Sequence, residues 1–501
     1  MAPTRRAIPH VRELLADTLT PLGAYRRLGE ISPLRFLLES VTGGERVSRF
    51  SFLGAGPREI LRLYSDRLEV ERPGAGPLQQ SRDVRPGPPL DALRAEVSRI
   101  AAETGPIPFT GGFVGSFGYD LIRLVERLPN RPRDPFAALD PPIALLGRFD
   151  AVLAFDHAYQ RLLAIANEIE GEVSAAEAEA QLDRLERVLT AAGGSGAVPL
   201  PAVERPDPAA FDVSLDGEAF QSAVRAGKEL IAAGDIFQVV LARRFRVPRR
   251  IEPLALYRAL RRINPSPYMV LFEAPEMALV GASPEMLVRK VGSRIETRPI
   301  AGTRPRGADA AADQRLADEL AADPKERAEH LMLVDLGRND LGRVATAGSV
   351  RVPEFMAVER YSHVMHLVSS VVAEIAPGRD ALDALLACFP AGTVSGAPKI
   401  RAMEIIDDLE PESRGPYAGA VGYLSFSGDL DTCIAIRTLV VTAEETSVTA
   451  GAGIVADSDP AAEQRETESK AAGLLAAVAL AERIAATESV AGVARAVEES
   501  A

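Results

Sequence analysis

Over residues 1–165 the hydrophobic pattern breaks into short strand-like runs separated by turns, with Gly111, Gly112, Gly115 and Gly118 forming a glycine-rich patch. The rhythm then changes. Across 171–192, Ala, Glu, Leu and Arg recur at helical spacing, which predicts an amphipathic helix ending at Gly193-Gly194. Residues 193–210 are rich in Gly, Pro and Ala and read as a linker. From Phe211 to about Ala485 the pattern is denser and more regular. Glu218 to Ala233 fits a helix with Phe220, Val224 and Ile231 on one face, and Gly234 suits its C-terminal cap. Ile236 to Val247 alternates and is rich in β-branched residues, as a strand would be. Strand-like runs recur at 277–290, 363–375, 419–427, 431–442 and 446–456, and helices fit 255–262, 312–336, 381–388, 397–408 and 460–484. The chain divides on this reading into an N-terminal region (1–192), a linker (193–210), a regular region (211–485) and a tail (486–501). Many strands with inserted helices predict an α+β architecture.

Length and composition narrow the function classes. A chain of 501 residues, 47% of them apolar, can bury a large core. Arg5, Arg6, His10, Arg12 and Glu13 interrupt residues 1–20, so no secretory signal is expected. The longest apolar run, Ala471 to Ala481, is 11 residues and mostly alanine, too short to span a bilayer. Two cysteines, Cys388 and Cys433, imply no disulfide framework and fit a reducing compartment. A soluble, cytoplasmic protein is expected. The net charge of −13 with no long basic block argues against nucleic acid as a partner. An anionic substrate would have to be drawn by local cations or a metal, because the overall field repels it.

Several side chains then stand out. Asp323 is a good N-cap and Pro324 a good first helical residue; Glu326 and Glu329 follow on one helix face. Asp459-Pro460 opens another helix with Glu463, Glu466 and Lys470 on one face. Taken singly, these patterns are a capping box and an ordinary i,i+4 ion pair. If the two helices face each other, four carboxylates make a hard-oxygen site suited to Mg²⁺. The glycine-rich loop Phe389 to Lys399 fails the phosphate-loop pattern, since Ala-Pro follows Gly396, but Thr393 and its backbone N–H groups suit a carboxylate. His363 and His366, three apart on a strand, point to opposite faces, so at most one serves a given site.

These residues belong to a longer ordered series. It includes Gly-Asp-Ile-Phe-Gln-Val-Val (234–240), Gly-Ala-Ser-Pro-Glu-Met-Leu-Val (281–288), Arg-Pro-Ile-Ala-Gly-Thr-Arg-Pro-Arg-Gly (298–307), Glu-Arg-Ala-Glu-His (326–330), Gly-Pro-Tyr-Ala-Gly (415–419), Ile-Ala-Ile-Arg-Thr (434–438) and Glu-Thr-x-x-Lys-Ala (466–471). In this series the chain resembles the chorismate-utilising enzymes, and among them the large subunits of anthranilate synthases. Leu-Leu-Glu-Ser (37–40) carries the resemblance into the N-terminal half.

The resemblance implies a large two-layer β-sandwich with inserted and flanking helices. It implies conversion of chorismate and ammonia to anthranilate and pyruvate through aminodeoxyisochorismate, the first step of tryptophan synthesis. Carried over by residue, Glu326, Glu329, Glu463 and Glu466 become a Mg²⁺ site. Tyr417, Arg437, Gly451, Gly453 and Lys470 become substrate-binding residues. Glu285 becomes a general acid, His366 the acid–base group of pyruvate loss, and Thr393 and Gln238 further catalytic positions. Feedback inhibition by tryptophan would fall on Leu38, Glu39, Ser40, Asn264, Pro265, Ser266, Tyr268 and Met269.

Two positions separate the relatives. Isochorismate and salicylate synthases carry Lys in place of Gln238, and aminodeoxychorismate synthase carries Lys in place of Ala301. Neither cysteine lies in a Gly-x-Cys-x-Gly elbow, so a separate glutamine amidotransferase subunit, in a heterotetramer, would have to supply ammonia. A non-catalytic tryptophan-sensing protein on the same scaffold is the alternative of a different class.

Overall fold

The computed structural model describes residues 4–40, 49–73, 81–129, 132, 141–191, 200–361 and 364–499, with side chains described as far as 488. Among these residues, two large sheets, of thirteen and twelve strands, pack face to face with helices around them. The architecture is α+β, a two-layer sandwich, and strand alternation accounts for it. Phe36, Phe52, Val152, Val270 and Leu279 point from the thirteen-stranded sheet toward Ile60, Val114, Phe149, Val421 and Cys433 of the other. Leu37, Leu53, Leu153, Leu271 and Val280, one residue along, turn outward beneath the helices Pro21–Leu28, Ala175–Thr190, Pro253–Ile263 and Pro460–Glu499. Phe36 and Phe149 meet edge to face across the layer at 4.7 Å.

Each sheet is built from both ends of the chain. The strand Arg35–Glu39 pairs with Tyr268–Glu273, and Gly112–Phe117 pairs with Ala420–Ser425, so two seams join the N-terminal segment to the rest. The glycine patch lets the strand Gly112–Phe117 lie close to both its neighbours, Ala144–Phe149 and the seam strand Ala420–Ser425. A Cβ on Gly115 would lie 1.9 Å from the Leu145 carbonyl oxygen, and one on Gly112 2.1 Å from that of Leu424. The segments 1–192 and 211–485 thus share both sheets.

Four expectations are corrected. The run 277–290 is two strands, Ala278–Ser283 and Met286–Val291, lying in different sheets. The run 431–442 likewise divides into Leu430–Ile434 and Thr438–Val441, one in each sheet. Both layers are apolar with the same period of two, so a passage from one to the other leaves no mark in the pattern. The expected helix 312–336 is two helices, Ala310–Ala322 and Pro324–Gly342, because Asp323 ends the first and caps the second, accepting from the N–H groups of Lys325 and Glu326. Residues 486–499, expected as a tail, continue the helix that starts at Pro460; this stretch has no proline to stop it. Of the expected linker, 193–199 lie outside the described residues and Pro208–Ala210 form a single helical turn. Among the described residues no helix is long and apolar enough to cross a membrane.

A buried ion cluster ties the N-terminal strands together. Arg148, with no exposure, donates to Glu59 at 2.9 Å and to Asp150 at 2.8 Å and also pairs with Glu172. Removing the cation would strand two buried carboxylates. Arg148→Met is expected to cost roughly 3–5 kcal/mol of folding stability, read from urea unfolding of the full chain. A cost within error of zero would mean that Arg58 and Arg99 suffice as partners.

Candidate active site

The chain crosses between the sheets at Pro284-Glu285 and again at 435–437, and the two crossings are bonded to each other. Ile434 N–H donates to the Glu285 carbonyl at 3.0 Å, Ala282 N–H to the Arg437 carbonyl at 3.0 Å, and the Ser283 hydroxyl to the Ile434 carbonyl at 2.7 Å. A carboxyl and a guanidinium are thereby brought to one place. Burial pushes the Glu285 carboxyl up to about 8, against the opposing effect of the Thr393 hydroxyl, which donates to it at 3.0 Å. Glu285 is therefore protonated at neutral pH and able to act as an acid. Arg437 sits in a left-handed conformation, φ 50°, and burial lowers its pKa.

Around this pair lies a cavity of about 340 Å³, lined by Gln238, Glu285, Glu329, His366, Thr393, Tyr417, Arg437, Gly451, Gly453, Glu463, Glu466 and Lys470, among others. These are twelve of the thirteen catalytic, substrate and metal positions expected from sequence. The glycines are there for space. A Cβ on Gly451 would stand 2.7 Å from the Tyr417 hydroxyl, and one on Gly453 2.8 Å from the Gln238 amide nitrogen. Burial raises Tyr417 to about 12, so it keeps its proton as a donor. Lys470 reaches back from its helix to the Gly451 carbonyl at 2.9 Å and pairs with Glu466 at 2.5 Å. The side-chain carbonyl oxygen of Gln238 is buried with no hydrogen-bond partner among the described residues.

The thirteenth position, Glu326, is placed differently. Its carboxylate pairs with Arg304 at 3.0 Å, and Arg304 also holds Asp323 at 2.8 Å. Glu329, Glu463 and Glu466 remain on the cavity wall. The Glu329 carboxyl is raised by burial first, then by the charges of Glu326 and Glu466; Glu463 is raised by burial and by Glu466. The two helices therefore face each other closely enough for their carboxylates to repel, even with Lys325 and Lys470 beside them. Such a set of hard oxygens fits a Mg²⁺-type ion. Among the described residues no three acidic, His or Cys side chains already stand at ligand spacing.

His363 lies outside the described residues. Lys325, Thr303 and Ser458 also line the cavity and were not anticipated. The scarcity of lysine, with Lys325 beside Glu326, was a usable signal for the first, and Thr303 lies within the motif 298–307; nothing in the sequence singles out Ser458.

A second cavity, of about 360 Å³, opens at the first seam. Leu38, Glu39, Ser40, Tyr268 and Met269 line it together with Phe50, Phe52 and Pro106. The Ser40 hydroxyl is buried with no hydrogen-bond partner among the described residues, and Glu39 accepts from the Tyr257 hydroxyl at 2.5 Å. Asn264, Pro265 and Ser266 are not on its wall: Asn264 caps the helix Pro253–Ile263, and the Ser266 hydroxyl donates to the Asn264 carbonyl at 3.4 Å.

With this geometry, comparison with known proteins is informative. The model of the chorismate binding enzyme family matches residues 35–476. Anthranilate synthase component 1 of Thermus thermophilus is 48% identical, the match covering 95% of this chain and 99% of that protein. The protein of the same name from Aquifex aeolicus is 45% identical, covering 95% of each. Among solved structures, anthranilate synthase component I from Streptococcus pneumoniae superposes with a TM-score of 0.76 at 36% identity, covering 92% of this chain and 99% of that one. The menaquinone-specific isochorismate synthase of Escherichia coli, at 20% identity and a TM-score of 0.68, shares the fold. A match this long, with the motif residues gathered around one cavity, leads to one conclusion: the chain belongs to the family of chorismate-binding enzymes.

Proposed function

We propose that this chain converts chorismate and ammonia to anthranilate and pyruvate, as the chorismate-handling component of an anthranilate synthase. The observation that carries the choice of nucleophile is Gln238. Its buried, unpartnered carbonyl oxygen suits an N–H donor such as ammonia, and an amide cannot deprotonate water. Near-full-length likeness to proteins of that name supports the same reading.

Arg437, Tyr417 and Lys470 are the groups suited to the two carboxylates of chorismate, with Arg437 offering a two-pronged grip. Glu285 gives its proton to the departing ring hydroxyl while ammonia adds to the ring, yielding aminodeoxyisochorismate. His366 then takes a ring proton as the enolpyruvyl C–O bond breaks; pyruvate leaves and the ring becomes aromatic. Glu329, Glu463 and Glu466, with Glu326 once it parts from Arg304, would hold Mg²⁺. When bound, the ion supplies positive charge for the ring carboxylate, which the net charge of −13 makes necessary. A glutamine amidotransferase subunit supplies ammonia, since both cysteines are buried and their thiols are pushed far up by burial. The seam cavity, with largely apolar walls and the buried Ser40 hydroxyl at its edge, is the reading's tryptophan site.

Three outcomes test this. The pure chain with chorismate, Mg²⁺ and an ammonium salt should yield fluorescent anthranilate, with none formed from glutamine; glutamine-dependent product from the single chain, or no product from ammonia, would refute it. At constant free ammonia, chorismate consumption should be level below pH 8 and fall tenfold per unit above about 8, because Glu285 then loses the proton it must donate. A rate that climbs through that range would remove Glu285 from the acid role. Ser40→Ala should weaken tryptophan inhibition with turnover nearly intact, and an unaltered tryptophan titration would detach the seam cavity from feedback.

A further inference from the structure

The strand Ile300–Pro305 pairs with Val364–Glu374, and the pairing slips by one residue at Gly302. Ala301 stands opposite Leu367 and Thr303 opposite His366, so Gly302 is the extra residue of a bulge, with φ 63° in the left-handed region. A side chain is barred there twice over. The conformation favours glycine, and a Cβ would meet Leu320 at 2.9 Å and the Glu326 carboxylate at 3.0 Å.

The bulge turns a carbonyl toward the imidazole. The Gly302 oxygen lies 2.9 Å from His366 Nδ1, and the Thr303 hydroxyl lies 3.1 Å from the same nitrogen. A carbonyl oxygen can only accept, so Nδ1 must carry the proton. The neutral ring then has its lone pair on Nε2, which has no hydrogen-bond partner among the described residues. The Tyr361 ring holds the imidazole from the side, edge to face at 5.6 Å, and is itself anchored through its hydroxyl to Glu359 at 2.8 Å.

We infer that the Gly302 bulge and the Thr303 hydroxyl are the positioning element of His366: they hold its proton on Nδ1 and leave Nε2 as the atom that takes the ring proton. The inference deepens the role given to His366 above and rests on it. In the step concerned, a ring C–H proton moves to Nε2. Its electron pair completes the aromatic ring, and the C–O bond breaks toward the departing enolpyruvate, which is protonated to pyruvate. A ring free to turn, or one with its proton on Nε2, would offer no base in that place.

Gly302→Ala is a poor probe, since its Cβ would also disturb Glu326. The test uses the whole chain, with ¹⁵N-labelled histidine and the His366 signal identified by its loss in His366→Met. Long-range ¹H–¹⁵N correlations should show a neutral His366 protonated on Nδ1; protonation on Nε2, or an averaged pair of signals, would overturn the inference. Alongside, Thr303→Val should raise the ratio of aminodeoxyisochorismate to anthranilate about 5- to 10-fold over the parent, the worth of one hydrogen bond, and Thr303→Ser should restore it. An unchanged ratio, or no rescue by serine, would remove Thr303 from the positioning role. Normal anthranilate production by His366→Met would instead sink the acid–base reading of His366, while the tautomer result would stand.

Discussion

The site depends on two chain crossings between the sheets being bonded to each other. At Pro284-Glu285 and at 435–437 the backbone leaves one layer for the other, and backbone bonds between Ile434 and Glu285 and between Ala282 and Arg437 close the pair. A crossing takes the backbone out of both ladders, so its N–H and C=O groups need partners that regular pairing does not supply. Here each crossing supplies the other. The residues at such a point are held by rigid strands on both sides, yet their side chains face a gap between layers. That combination is what a reacting group requires: fixed position together with open space.

Burial then sets the chemistry. The environment that raises the Glu285 carboxyl to about 8 also raises Tyr417 to about 12, and each is left a proton donor at neutral pH. The same burial lowers the pKa of His366, which therefore stays neutral and is suited to accept a proton. One desolvated cavity thus contains acids and a base side by side, because burial disfavours the charged form of each of these three groups. Arg437 and the acidic helix faces add fixed charge of both signs at its edges.

The seams give the two cavities a common frame. Tyr268 lines the seam cavity, and its strand partner is Ser283, two residues before Glu285. The seam cavity and the acid are thus separated by a single strand pair, which places the N-terminal segment within reach of the chemistry although most motif residues lie after position 234. Glu326 illustrates a different kind of dependence. Its helix position is right for the facing carboxylates, but Arg304, from a neighbouring strand, takes its side chain.

Local order was legible in the sequence. The cap at Asp323, the helix opened by Asp459-Pro460 and the strand alternation of 238–247 all depend on residues a few positions apart, and periodicity reports such relations directly. The shared helix face of Glu463, Glu466 and Lys470 was readable for the same reason, and the ordered motifs identified the family. Tertiary structure alone decided which layer each apolar run joins, as in the splitting of 277–290 and 431–442. It alone decided that Gly451 and Gly453 make room for Tyr417 and Gln238, that Arg304 captures Glu326, and that the extra residue at Gly302 aims a carbonyl at His366. Each of these joins residues distant in the chain through packing or charge, and a pattern of neighbouring side chains carries no record of which distant partner the fold will bring.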